Sequence, residues 1–210
     1  MATTALVFRI LGSPIDPLKL ELPEPRPRNG SDWFFDFCQM NRDIRLERTA
    51  EGEILVMAPA GTESGYRELK TSTQLDVWAE RDGRGRAFGS NAGFILPNGA
   101  TRSPDAAWVK LPRLAALSAD KKRKFAPLCP DFVIEVRSHS DRLPQLQKKM
   151  EEYRENGAAL GWLIDPATRK VHIYRPGRRV EILKHPKRVK GDPELPGFVL
   201  DLARIWKPDF

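Results

Sequence analysis

The sequence predicts a mixed α/β (α+β) fold, a mixed central β-sheet flanked by helices and extended by added β-hairpins. Three observations predict it. The run Asp131-Phe-Val-Ile-Glu-Val136 is nearly all apolar, as expected of a strand covered on both faces. An amphipathic helical stretch and then the run Leu160-Gly-Trp-Leu-Ile164 follow it, a strand, helix, strand order that makes one crossover unit. Upstream, Ile44-Arg45-Leu46-Glu47-Arg48 alternates apolar and charged residues, breaks at Thr49 to Gly52, and resumes as Glu53 to Met57, the pattern of a β-hairpin.

The elements can be taken in order. Prolines at 14, 17, 23, 25 and 27 cannot continue a helix or donate to an inner ladder, so residues 1–32 read as a proline-rich arm and 33–210 as one domain. Trp33 to Cys38 reads as a short aromatic helix docked by its rings. After Pro59 to Gly61, a helical pattern runs through Leu69, Thr73, Leu75 and Trp78 and closes at Asp82-Gly83-Arg84-Gly85. Short strands at Ala87-Phe88, Gly93 to Leu96 and Ala106 to Val109 read as a meander. The basic run Lys121 to Lys124 lies in an exposed helix or loop. Asp141 is placed to cap the next helix, Pro144 suits its first turn, and Asn156-Gly157 ends it. Strands at Lys170 to Tyr174 and Val180 to Leu183 complete the pattern.

Composition narrows the function. With 210 residues, 40% hydrophobic and 30% charged, the chain can bury a substantial core. The formal charge of +7 favours an anionic partner such as nucleic acid. Cys38 and Cys129 stand far apart with no CxxC or Cys/His cluster, which suggests neither a zinc site nor a disulfide framework and suits a cytoplasmic setting. The opening residues are too short and too interrupted by Arg9 for a membrane span, so no membrane partner is expected.

The chemistry concentrates in a spaced trio. Glu135 sits inside a doubly covered strand, where a carboxylate is costly unless it pairs with Arg137 two residues on or ligates a metal. Asp105 follows Pro104 and opens a strand, where it either satisfies a turn or, beside Glu135, joins it on a hard cation such as Mg²⁺ or Mn²⁺. At about 100° per residue, Lys149 lies on the flank of the Leu146, Met150 and Tyr153 face, whereas Lys148 points away. Lys149 can therefore reach inward along the sheet, or extend into solvent. Glu63, at a helix start, either serves the helix dipole or supports the metal. His139 is an outside candidate for general acid or phosphate contact; neither it nor a cysteine has the partner constellation of a nucleophile.

Pro104-Asp105 followed by Glu135-x-Arg137 resembles the Pro-Asp…(Asp/Glu)-x-Lys signature of the restriction-endonuclease-like nuclease superfamily, with arginine where lysine is usual. Five further blocks, Met57 to Glu63, Gly93 to Gly99, Arg102 to Val109, Pro130 to Val136 and Lys149-x-x-x-Tyr153, are similar to the Uma-type family within it. The likeness runs from about Asp36 to Tyr174. It implies a restriction-endonuclease-like core and a metal-dependent endonuclease acting on DNA. Asp105, Glu135 and Glu63 would be the metal-side acids, and the catalytic lysine would be moved from the strand to the helix, at Lys149. It also implies a homodimer, and a histidine in many relatives where this chain has Ser64. The alternative is a protein that keeps the fold for nucleic-acid binding or assembly with little hydrolysis. Lys121 to Lys124 and Lys184, Lys187, Arg188 and Lys190 are candidate phosphate contacts or plain solubilising charge.

Overall fold

A computed structural model of the chain describes residues 8–10, 32–57 and 59–210. The arm expected over residues 1–32 lies outside the described residues, apart from 8–10 and Asp32. The elements run β1 (Phe8–Ile10), α1 (Trp33–Met40), β2 (Arg45–Arg48), β3 (Ile54–Met57), α2 (Thr62–Asp82), β4 (Gly85–Gly89), β5 (Phe94–Ile95), β6 (Thr101–Arg102) and β7 (Ala106–Lys110). The chain continues through α3 (Leu111–Ala115), α4 (Ala119–Arg123), β8 (Phe132–Val136), α5 (Leu143–Glu155), β9 (Leu160–Asp165), β10 (Lys170–Tyr174), β11 (Glu181–Lys184), β12 (Arg188–Lys190), β13 (Val199–Asp201) and α6 (Ala203–Trp206).

The central sheet has six strands in the order β11-β10-β9-β8-β7-β4. Only β8 and β9 are parallel, as the crossover through α5 requires, so the sheet is mixed as expected. Its inner strands β7, β8, β9 and β10 are buried on both faces, whereas the edge strands β4 and β11 are largely open to solvent. Phe132 and Ile134 of β8, with Trp162 and Ile164 of β9, join Leu75 and Ala79 of α2 in one apolar layer. Val133, Leu163 and Ala107 face the other way, onto Met150 and Tyr153 of α5.

The first layer is completed by the C-terminal segment, which the sequence reading left without an assignment. Phe198, Leu200, Leu202 and Ile205 are buried in it. The Phe198 ring stacks on Trp162 at 5.5 Å and meets Phe132 edge-on at 5.9 Å, contacts of about 0.5–1.5 kcal/mol each beyond burial. Gly85 is where β4 approaches this layer most closely, because a methyl group there would run into the Trp108 ring. Gly83 ends α2 in a left-handed conformation (φ 70°), its N–H donating to the Ala79 carbonyl.

The second sheet, β1-β3-β2-β6-β5, carries the expected hairpin of β2 and β3. The meander is corrected. β4 pairs directly with β7, and the residues between them leave the central sheet so that β6 can pair with β2 and β5 with β6. This excursion is held by α1, whose Phe34 ring packs on Phe125 at 5.9 Å. Phe125 in turn occupies the space that a side chain at Gly93 would need. The outcome places the hairpin sheet against the start of β7, next to Asp105.

Candidate active site

Strand parity brings the first two acids together. Ala107 and Val109 face α5, so Asp105, two residues before Ala107, opens onto the same side. In the β7–β8 ladder Ala106 pairs with Ile134, which sets Asp105 beside Glu135, and Asp105 Oδ2 accepts the Val136 N–H at 2.7 Å.

Lys149 reaches the same point from the second turn of α5. Its Nζ stands 2.8 Å from Glu135 Oε1, while Lys148 is exposed on the opposite flank. Tyr153, one turn further along α5, donates its hydroxyl to the same Glu135 oxygen at 3.1 Å. Glu135 is thus paired with Lys149 and Tyr153. Arg137, its other candidate partner, is turned to Asp165, with Nη1 3.2 Å from both carboxylate oxygens.

A third carboxylate completes the cluster, and sequence reasoning did not find it. Glu47 of β2 is 2% exposed and accepts from Lys149 Nζ at 2.9 Å and from the Ser103 N–H at 3.0 Å. Arg102 Nη1 lies 3.3 Å from its other oxygen and Arg102 Nε lies 2.6 Å from Glu152 of α5. Lys149 is therefore held between two buried acids from different sheets.

These neighbours set the protonation states. Burial, then the charge of Glu135, pushes the Asp105 carboxyl up to about 8 despite the Val136 hydrogen bond. Burial raises Glu135 as well, in part offset by Lys149. Burial would raise Glu47 too, but Lys149 and Arg102 outweigh it and hold that acid below the ordinary range. Burial opposes the charged form of Lys149, yet Glu135 and Glu47 overcome it and raise the ammonium above its usual value. Lys149 therefore stays protonated at neutral pH.

Glu63 is placed differently. Its side chain is 59% exposed and pairs with Arg67 one turn on, at 3.0 Å. The acid of α2 whose charge reaches Asp105 is Glu68, which accepts a hydrogen bond from Ser90. His139 is exposed in the turn after β8. Asp141 does not cap α5: the N-cap is Arg142, and Asp141 Oδ2 instead accepts the Ser138 N–H at 2.7 Å, closing that turn.

The donor set suits a hard cation. Asp105 and Glu135 each engage one carboxylate oxygen, leaving Asp105 Oδ1 and Glu135 Oε2 without a protein partner among the described residues. Among those residues no three His, Cys, Asp or Glu side chains converge as a ready-made cage. Mg²⁺ is commonly bound by one or two carboxylates and keeps several waters, so the pair is sufficient. A cation there would also relieve the repulsion that raises Asp105.

The sequence model of the Uma2 family, described as "Putative restriction endonuclease", matches residues 32–203. The chain belongs to the Uma2 family. The match extends past Tyr174 to include β12 and β13, in agreement with their place in the core. Among solved structures, a "putative nuclease belonging to DUF820" from Anabaena variabilis ATCC 29413 is similar at a TM-score of 0.66 and 17% identity, over 80% of this chain and 96% of that one. At that identity the likeness bears on the fold, which is the nuclease fold of the family. No curated protein matches the chain. Uma2 membership supports a nuclease, and therefore a nucleic-acid substrate. Among the described residues no helix is long and apolar enough to cross a membrane.

Proposed function

We propose that this Uma2 protein is a metal-dependent endonuclease that hydrolyses phosphodiester bonds of DNA at the cluster of Asp105, Glu135 and Lys149. The observation that carries the reading is the adjacent pair of carboxylates, Glu135 buried and Asp105 half-buried, each with one oxygen left unengaged, beside a lysine held charged. Asp105 and Glu135 would hold Mg²⁺ or Mn²⁺, with Glu68 of α2, rather than the exposed Glu63, supporting it through water. The metal, when bound, supplies charge stabilisation at the phosphoryl oxygens and a more acidic water.

The chain's own residues then divide the remaining tasks. Because Lys149 stays protonated, it does not accept a proton from water; it donates hydrogen bonds and places positive charge where the phosphoryl oxygens gain negative charge. Glu47 and Arg102 fix its position, and Tyr153 fixes Glu135. A two-fold homodimer would suit cleavage of both strands of a duplex. The test is nicking of supercoiled plasmid with Mg²⁺, Mn²⁺ or chelator. Nicking that needs the divalent ion and is abolished by Asp105→Ala supports the proposal. Intact plasmid under all three conditions would leave the fold serving nucleic-acid binding without hydrolysis.

A further inference from the structure

A second line of charge crosses the sheet beside the carboxylate pair. Val136 pairs with Ile164, so Arg137 and Asp165 are neighbours one residue on; Asp165 pairs with Lys170, and Lys170 with Lys184. Residues directly opposite one another in a ladder project from the same face. Arg137, Asp165, Lys170 and Lys184 thus form one cross-strand row on the face that carries Glu135, at the end of the sheet where Asp105 opens β7. The acid in this row is fully buried and engaged by Arg137 and by the Thr168 hydroxyl, 2.7 Å away. Among the described residues Arg169, Lys170, Lys184 and Lys187 form no ion pair, and all but Lys170 are exposed.

The backbone adds an independent observation. Arg169 (φ 49°) and His185 (φ 51°) both adopt the left-handed conformation, and the His185 N–H donates to the Arg169 carbonyl at 2.8 Å, closing this end of the β10–β11 ladder. That conformation costs a non-glycine residue about 1–2 kcal/mol, and glycine is the usual occupant. The chain has an arginine and a histidine there instead, both exposed. The other basic run behaves differently: Lys121 and Lys124 pair with Asp32 at 3.2 and 3.0 Å, in the connection that leaves the far end of β7.

Resting on the nuclease reading of the carboxylate pair, we propose that this row is a phosphate track. A nucleic-acid strand cut at Asp105 and Glu135 continues across the ends of β8 to β11, its backbone against Arg169, Lys170 and Lys184. Four strand spacings separate β7 from β11, about 19 Å, which is the rise of about five to six base pairs. The substrate is therefore gripped on one side of the scissile bond, without reading of bases.

The test is anisotropy of a short fluorescein-labelled DNA duplex, without divalent metal and over a series of salt concentrations. Parent protein is compared with Arg169→Gly/Lys170→Gln/Lys184→Gln and with a control of equal charge change at exposed positions elsewhere, Arg81→Gln/Arg86→Gln/Lys207→Gln. The track variant is expected to lose more than about tenfold in affinity and to flatten the salt slope by about two to three units, with the control close to parent. Arg169→Gly alone guards against misfolding: its urea midpoint should equal or exceed that of the parent while its affinity falls. If the track variant keeps the parent's affinity and slope while the parent nicks plasmid, the track is wrong and the nuclease reading stands. If the parent neither binds the duplex nor nicks plasmid, both fall.

Discussion

Asp105→Asn should make the metal-free protein more stable at neutral and alkaline pH. The carboxyl is raised from 3.8 to about 8, so between those values the folded chain holds a proton that the unfolded chain has released. Stability from this group is fully present below about pH 4 and is lost as pH rises toward and through 8. Between about pH 5 and about pH 8.5 such a shift amounts to about 4 kcal/mol. Asp105 retains some solvent contact, which screens the effect, so about 2–4 kcal/mol is expected. Asparagine keeps an oxygen to accept the Val136 N–H but cannot ionise. Urea unfolding followed by tryptophan fluorescence in the presence of chelator, at both pH values, measures the difference. The parent should lose about 2–4 kcal/mol relative to the variant as pH rises. A difference constant to within about 0.5 kcal/mol across that range would refute the claim that burial and Glu135 together hold Asp105 protonated.

Three further outcomes follow from the same geometry. Lys149→Met leaves Glu135 and Glu47 buried without their shared cation and should cost about 3–5 kcal/mol in urea unfolding at neutral pH; a loss below about 1 kcal/mol would mean that the pair is not held by Lys149. Glu63→Gln breaks only an exposed pair one helical turn apart and should change stability by less than about 0.5 kcal/mol, whereas Glu68→Gln should also weaken Mg²⁺ binding in calorimetry; the reverse order would restore Glu63 to the site. Gly85→Ala forces the Trp108 ring to shift and should cost about 1–3 kcal/mol with a changed near-ultraviolet signal from the tryptophans, and an unchanged midpoint would contradict the packing described.

Much of the fold was legible because local patterns agreed with their surroundings. The apolar run of β8, the turn residues around the β2–β3 hairpin and the helical angle that separates Lys149 from Lys148 all act within a few residues. What escaped depends on long-range placement. Alternation along β2 puts Glu47 on the polar side of its strand, yet both Leu46 and Glu47 are buried, because the partner of Glu47 is a lysine 102 residues away. The excursion through β5 and β6 is decided by Phe125 filling the space beside Gly93, which no local pattern announces. One signal was present and unused. Counting back from buried Leu75 in steps of four and three gives Thr71 and then Glu68, a carboxylate on the inward stripe of α2, whereas Glu63 falls in its exposed first turn.

The most direct test of the central claim is calorimetric titration of Mg²⁺ and Mn²⁺ into the parent protein and into Asp105→Ala/Glu135→Ala, with plasmid cleavage followed in the same samples. Metal binding and nicking in the parent, lost together in the double variant, is the predicted result. Unchanged metal binding in the double variant, or nicking that persists without the two carboxylates, would contradict it.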